Sequence, residues 1–288
     1  MTETAPERIR VGHSPDPDDA FMFFGIAAGK VDTEGFRIEQ VLEDIESLNR
    51  RALAGELEVT ALSIHAYAHL ADRYALMPCG ASMGDGYGPM LVAKEPFVAD
   101  PVSLARLKFA VPGTLTSAFL ALELYLGGRP EHVVVPFDAI LDHVQAGGAD
   151  VGLVIHEGQL TYSRMGLHRI VDLGSWWKDR TDGLPLPLGG NGVRKDLGRK
   201  TMAALTRVLK RSISYGLLNR KEALAYARDF GRGLDDTLTD RFVGMYVNDL
   251  TLDYGERGRA AIRRFLDEGI EGGYLPAFGE IEFVEEAA

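Results

Sequence analysis

RIRVGHSPDPDDAF at residues 8–21 and RLKFAVPGTLTSAF at residues 106–119 stand 98 positions apart, begin with the same Arg and end with the same Ala-Phe. In each, a short apolar run gives way to a loop rich in Asp, Pro, Thr or Ser, and the loop opens an apolar helix. The run predicts a buried strand. The polar residues ahead of the helix predict an N-cap, Asp18 or Asp19 in the first copy. The echo continues downstream. FRIEQVLED reads as a strand, IESLNRRALAGE as an amphipathic helix ending near Gly55, and LEVTALSIH as a third strand. After the second copy, HVVVPF, DAILDHVQAGG and ADVGLVIHE take the same places. Strands alternating with helices predict an α/β fold with mixed, mostly parallel sheets flanked by helices. The period is too long for a solenoid and marks a duplicated lobe.

YGPMLVAKEP at 87–96 reads as a crossing into the second lobe, and LPLPLGGNGVRKDL at 184–197 as the crossing back. The expected division is 1–92 plus 195–288 for a discontinuous first lobe and 93–194 for the second. A chain of 288 residues suits two lobes better than a single core. In parallel sheets ligands bind beyond the carboxyl ends of the strands, where both opening loops fall. Each loop feeds a helix start, which offers free N–H donors and about half a positive charge. Two such starts across one cleft predict a grip on an anionic small molecule such as a carboxylate, with Thr116 and Ser117 adding hydroxyl donors. Asp16, Asp18 and Asp19 in the first loop carry the opposite charge. They suit capping, rejection of a misplaced anion, or acceptance of hydrogen bonds from ligand hydroxyls.

Composition narrows the function classes. The formal charge is −11, with basic residues scattered and outnumbered, which argues against a nucleic-acid partner. No apolar run approaches the ~20 residues that span a bilayer, so no membrane partner is expected. MTETAPERIRVGHS lacks the basic and apolar regions of a secretory leader, and the expected location is the cytoplasm. Cys79 is the only cysteine, which excludes internal disulfides and thiolate metal clusters; burial is its expected state. His65 and His69 in HAYAH have the spacing of a helical metal pair, without a framing Glu or a third ligand. GDGYG at 84–88 precedes Pro89 and a strand-like MLVAK, so it reads as a turn at the cleft rim and not as a phosphate cradle. GxSxG is absent, leaving a hydrolase elbow without support. His156 sits at the carboxyl end of a predicted strand, where this fold presents side chains to ligand. An imidazole, titrating near ~6.5 when unperturbed, suits proton abstraction at neutral pH. His13 ends the first strand within reach of ligand, Trp176 or Trp177 could stack on an aromatic ring, and Arg50 or Arg51 could reach a carboxylate.

Ser14, Pro15, Pro17, Asp19 and Phe21 spell S-P-x-P-x-D-x-F. With VLEDIESLNRRAL, LSIHAYA, PGTLTSA, GLVIHEGQLTY, DLGSWWKDRTDGLPLPLG and YVNDLTLDYGERGR, this pattern resembles the 1,4-dihydroxy-6-naphthoate synthase family of the futalosine route to menaquinone, over most of the chain. The resemblance implies a two-lobed, periplasmic-binding-protein-like (type 2) fold. It implies a lyase that fragments cyclic dehypoxanthine futalosine to 1,4-dihydroxy-6-naphthoate with no metal or organic cofactor. It implies His156 as the base and Asn49, Ser63, Ser117 and Ala118 as substrate-binding positions, to which the opening loops add Ser14, Asp19 and Thr116. The family's first loop usually reads S-P-C-P-N-D-T-F, so Asp16, Asp18 and Ala20 depart from it, as does the Gly- and Asp-rich GASMGDGYGP. The alternatives are a chorismate-dehydratase-like enzyme, which VIHEG and LPLPLG argue against, and a non-catalytic sensor or small-anion binding protein.

Overall fold

The computed structural model describes residues 7–98 and 100–285; the first six residues, read above for a leader, lie outside them. Strand β1 (Arg8–His13), helix α1 (Pro17–Ala27), β2 (Arg37–Leu42), α2 (Ile45–Ala54) and β3 (Val59–Ser63) form the first copy of the duplicated unit. The one-turn α3 (Ile64–Tyr67) and the short strands β4 (Tyr74–Leu76) and β5 (Ser82–Gly84) follow. The second copy is entered on β6 (Met90–Ala93) and runs through α4 (Pro101–Leu104), β7 (Lys108–Val111), α5 (Ser117–Leu126), β8 (Glu131–Val134), α6 (Ile140–Gln145) and β9 (Val151–Val154). It ends with α7 (Gly158–Thr161), β10 (His168–Asp172) and α8 (Leu173–Arg180). Strand β11 (Leu186–Arg194) leads back, followed by α9 (Arg199–Leu218), α10 (Arg220–Arg228), α11 (Asp236–Tyr246), α12 (Asp249–Leu252) and α13 (Gly255–Glu271).

One sheet has the order β2-β1-β3-β11-β4, with β5 also paired to β11; the other has the order β10-β6-β9-β7-β8. In the first, β1 runs parallel to β2 and β3. In the second, β7 runs parallel to β8 and β9. The neighbour of the third strand in each sheet is a crossing strand, antiparallel to it: β11 beside β3 and β6 beside β9. The two copies therefore share one topology. Each crossing strand joins the sheet of the lobe it enters, because a strand's sheet is set by where its N–H and C=O groups pair. The expected divisions, after 92 and before 195, thus fall at the far ends of β6 and β11 and not in the crossings.

Local chemistry explains the helix starts. Asp16, not Asp18 or Asp19, is the N-cap of α1, and Pro17 takes the first helical position, where its fixed φ and missing N–H cost nothing. Asp18 and Asp19 fall in the first turn, facing the positive end of the helix dipole. On α5 the cap is Thr116, whose Oγ1 accepts from the Phe119 N–H at 3.2 Å. Strands β1 and β7 begin at 8 and 108, and helices α1 and α5 at 17 and 117. The Arg and Ala-Phe that frame the sequence echo are therefore two residues out of spatial register.

A continuous apolar core joins the lobes. It runs from Leu62 and Leu76 through Leu120 on α5 to Phe109 and Leu153 in the second sheet, with Phe265 of α13 behind. Trp177 is fully buried in it, edge-on to Phe265, its indole N–H donating to the Pro185 carbonyl at 3.1 Å. A second cluster packs Phe21 and Phe23 of α1 on Leu205, Leu209 and Ile213 of α9. Cys79 is buried as expected, its thiol toward the Thr206 carbonyl at 3.8 Å. No helix among the described residues is long and apolar enough to cross a membrane.

The GDGYG loop is a staple. Asp85 pairs with Arg257 of α13 at 2.7 Å and with Lys178 of α8 at 2.9 Å. Hydrogen bonding from Arg257, reinforced by Lys178, holds its carboxyl at about 2. The Tyr87 carbonyl lies so close to α8 that a Cβ on Gly174 would sit 1.9 Å from it. A backbone oxygen cannot swing aside as a side chain can. Gly174→Ala is expected to cost about 3 kcal/mol, measured by urea unfolding. Gly128→Ala, which meets nothing within 4 Å, should stay within ~0.5 kcal/mol of wild type.

Candidate functional site between the lobes

The loops after β1, β3, β7 and β9 converge on one cavity of about 740 Å³, counted out to its open mouth. The first lobe contributes Ser14, Asp16, Asp18 and Asp19, then Ser63, then Leu188 to Asn191 on β11; the second contributes Thr116, Ser117, Ala118 and Ile155. Phe242 and Tyr246 of α11 also line it. Of the expected residues, Ser14, Asp19, Ser63, Thr116, Ser117 and Ala118 are brought together on this wall. Asn49 and His156 stand behind it.

The end at α5 is built for an anion, though not as expected. Thr116 Oγ1 donates to the Gly113 carbonyl at 2.9 Å. Ser117 Oγ accepts from the His65 N–H at 3.1 Å and donates to the Leu188 carbonyl. Both hydroxyl protons are therefore taken by protein carbonyls, so neither residue is the free hydroxyl donor that its sequence position suggested. What α5 offers is backbone: the first-turn N–H groups of Ser117 and Ala118 lack intrahelical acceptors, and the helix dipole adds to them. Asn49 holds Ser63 from behind. Its Oδ1 accepts the Ser63 N–H at 2.9 Å and its Nδ2 donates to Ser63 Oγ at 3.0 Å. Since that oxygen is accepting, the Ser63 hydroxyl keeps its own proton for an acceptor in the cavity.

The end at α1 has the opposite character. Asp16 accepts from Ser14 Oγ at 2.8 Å and Asp19 from the Ser14 N–H at 2.7 Å. Burial pushes the Asp18 carboxyl well above the carboxylate range, and the negative Asp19 and Asp16 push it further. Burial also raises Asp19, against the pull of His13 and the Ser14 amide. His13 is wholly buried, stacked on Phe23 with centroids 4.4 Å apart, and does not line the cavity.

His156 is buried but its ring is not on the cavity wall, contrary to expectation. Ile155 takes the cavity side. The His156 ring lies edge-on to Phe137, and its Nδ1 accepts from the Gly158 N–H at 2.9 Å. Its Nε2 has no hydrogen-bond partner among the described residues. Glu157 lies 3.7 Å from Nδ1. Burial raises the Glu157 carboxyl, but His156 and Arg232 outweigh that and hold it low. Arg232 spans the cleft, pairing with Asp16 at 2.9 Å and Glu157 at 3.0 Å while lying over the Phe137 ring at 4.5 Å.

Sequence reasoning missed Ser82, Asn191, Phe242, Tyr246 and Arg232. None follows a parallel strand, which was the rule that found the others. Tyr246 opens YVNDLTLDYGERGR, and that stretch was the available signal; its hydroxyl donates to Gln159 Oε1 at 2.9 Å. Several candidates do not reach the cavity. Trp176 packs edge-on against Tyr125. Arg50 pairs with Glu46, and Arg51 with Glu43 and Glu56. His65 donates Nδ1–H to the Thr116 carbonyl at 3.1 Å, and burial pushes its imidazole down to about 4. Among the described residues no group of three or more His, Cys, Asp or Glu is placed to hold a metal ion.

The family described as menaquinone biosynthesis matches residues 9–271. A Thermus thermophilus protein named 1,4-dihydroxy-6-naphthoate synthase is 44% identical over 262 residues, 91% of this chain and 94% of its own. A crystal structure of an Archaeoglobus fulgidus protein superposes with a TM-score of 0.88 at 45% identity, covering 93% of this chain and 98% of that one. The alkanesulfonate-binding protein of Xanthomonas axonopodis pv. citri superposes at 0.70 and 12% identity, over 95% of this chain and 96% of its own. At that identity the likeness shows the fold alone, and the fold is periplasmic-binding-protein-like, as the resemblance implied.

The Asn49 clamp generates a prediction. Asn49→Ala strands the buried Ser63 N–H, and unfolding should become easier by about 1–3 kcal/mol. Chemical denaturation would read this; a change under ~0.5 kcal/mol would mean the clamp is not needed for stability.

Proposed function

The chain belongs to the menaquinone-biosynthesis family, and from that premise we propose that it is a carbon–carbon lyase converting cyclic dehypoxanthine futalosine to 1,4-dihydroxy-6-naphthoate. The observation that carries this reading is the polarity of the cavity. A molecule with a carboxylate at one end and sugar-derived hydroxyls at the other matches free amides at α5 and carboxyls at α1. In this scheme the substrate carboxylate accepts from the Ser117 and Ala118 amides and the Ser63 hydroxyl. The hydroxyls donate to Asp16 and Asp19. The aromatic ring lies between Phe242, Ile45 and Leu188, which line the same cavity. Enclosure by two lobes excludes water and fixes the reacting geometry.

His156 is the base in this scheme, which requires its ring, now off the cavity wall, to turn toward the bound substrate. With Nδ1 accepting from Gly158, the neutral ring carries its proton on Nε2. Taking up a proton at Nε2 therefore requires the other tautomer, with Nδ1–H turned toward Glu157. Arg232 keeps Glu157 ionised and so ready to accept that Nδ1–H. Proton abstraction then releases the sugar-derived fragment, driven largely by aromatisation of the second ring.

Incubation with cyclic dehypoxanthine futalosine, followed by mass spectrometry, tests the reaction. Wild type should form 1,4-dihydroxy-6-naphthoate. His156→Asn should slow it by ~10²–10⁴ with circular dichroism unchanged. Near-normal kcat in that variant would remove His156 from the chemistry. No product from wild type, with turnover of chorismate instead, would move the chain to a dehydratase.

A further inference from the structure

Asp18 has no part in that scheme, yet it is 9% exposed and lines the cavity. Ser82 on β5 donates its hydroxyl to Oδ2 at 3.1 Å, and the residue's own backbone N–H also stabilises the carboxyl. Its own turn and loop place Asp19 and Asp16 beside it. From α11 comes Tyr246, whose phenol is already donated to Gln159. The other helices packed on α1 are α9 and α10. Their Arg207 and Arg211 pair with Glu34, and Arg220 with Asp240. Arg232, beside the loop, is committed to Asp16 and Glu157. Among the described residues no Lys or Arg forms an ion pair with Asp18.

An independent observation lies on the same wall. Asn191 of β11 is 1% exposed. Its Nδ2 donates to the Gly80 carbonyl at 2.9 Å, which fixes which end of the amide is oxygen. The remaining Oδ1 is buried with no hydrogen-bond partner among the described residues. Asp18, Gly80, Ser82 and Asn191 all line the same cavity. Its wall thus holds an acceptor in need of a donor and a carboxyl with no cation.

We propose that Asp18 retains its proton and donates it in a hydrogen bond to a hydroxyl group of the bound molecule, while Asn191 Oδ1 accepts that hydroxyl's own proton. An alcohol is a ligand class that fits, because its oxygen both gives and takes a hydrogen bond. Burial and the neighbouring carboxylates support the protonated state of Asp18. Identifying the alcohol with the sugar-derived part of cyclic dehypoxanthine futalosine rests on the proposed function.

Two measurements test this. Infrared difference spectra of ligand-free wild type against Asp18→Asn and Asp18→Ala read the carbonyl stretch of a protonated carboxylic acid. The band should be present at neutral pH in wild type and missing from both variants. Its absence from wild type at neutral pH overturns the proposal, whatever the reaction. Stopped-flow binding of cyclic dehypoxanthine futalosine is the second. The sign follows from the proton: wild-type affinity should be highest at neutral pH and fall as alkaline pH removes the donor. Asp18→Ala should bind about tenfold more weakly. Asp18→Asn, which keeps an N–H donor of the same shape, should recover most of that loss and show no alkaline decline. Equal weakening by Asn and Ala overturns the donor role. If wild type neither binds nor converts the compound, the reaction assignment fails and the infrared band still decides the state of Asp18.

Discussion

Strand β11 is the joint on which both lobes depend. On one edge its residues from Gly189 to Val193 pair with β3; on the other, Gly192 to Arg194 pair with β4, and its first half pairs with β5. Without it three strands would present unpaired edges. The approach is close: a Cβ on Gly192 would meet Leu62 Cδ2 at 2.5 Å, so that side chain would have to shift. The same strand supplies the Leu188 carbonyl that takes the Ser117 hydroxyl and the Asn191 side chain on the cavity wall. Sheet closure, lobe contact and site completion thus fall to one nine-residue element.

The parts of the fold that could be read from sequence are those fixed by local chemistry. Apolar runs ending in Asp, Ser or Thr, and helices stopped by glycines such as Gly55 at φ 70, repeat because each β-α-β unit needs them. The cap of α1 lies two or three residues before the expected Asp18 or Asp19, because PDPDD offers three acids as candidates and only Pro17 marks which one precedes the helix. The site was legible where it rests on loops after parallel strands, as at Ser14, Ser63 and Thr116. It was not legible where packing between distant segments decides. Phe242 and Tyr246 reach the cavity only through the docking of α11. The Ser117 hydroxyl is occupied only because His65 and Leu188 approach from the other lobe. The His156 ring lies off the cavity wall, with Nδ1 held by the Gly158 amide.

Duplication of the backbone has not meant duplication of chemistry. Both copies bring a helix start to the cavity, but they use its positive potential differently. The start of α5 has a neutral cap, leaving its amides for a ligand. The start of α1 is met by its own Asp16 and Asp19, which satisfy the local field from within. One scaffold thus presents two faces of opposite preference, and a ligand with unlike ends has one favourable orientation between them.

The place of β11 in the chain also sets an order of assembly. Every strand of the second sheet lies between residues 90 and 172, so that sheet can close as soon as β10 has left the ribosome. The first sheet is begun earlier but waits. Until residues 186–194 emerge, β3 has one bare edge and β4 and β5 have no sheet to join; α9 and α13, which cover that lobe, come later still. The half that is synthesised first is therefore finished last, and it is the half whose nascent apolar surface a chaperone would have to shelter.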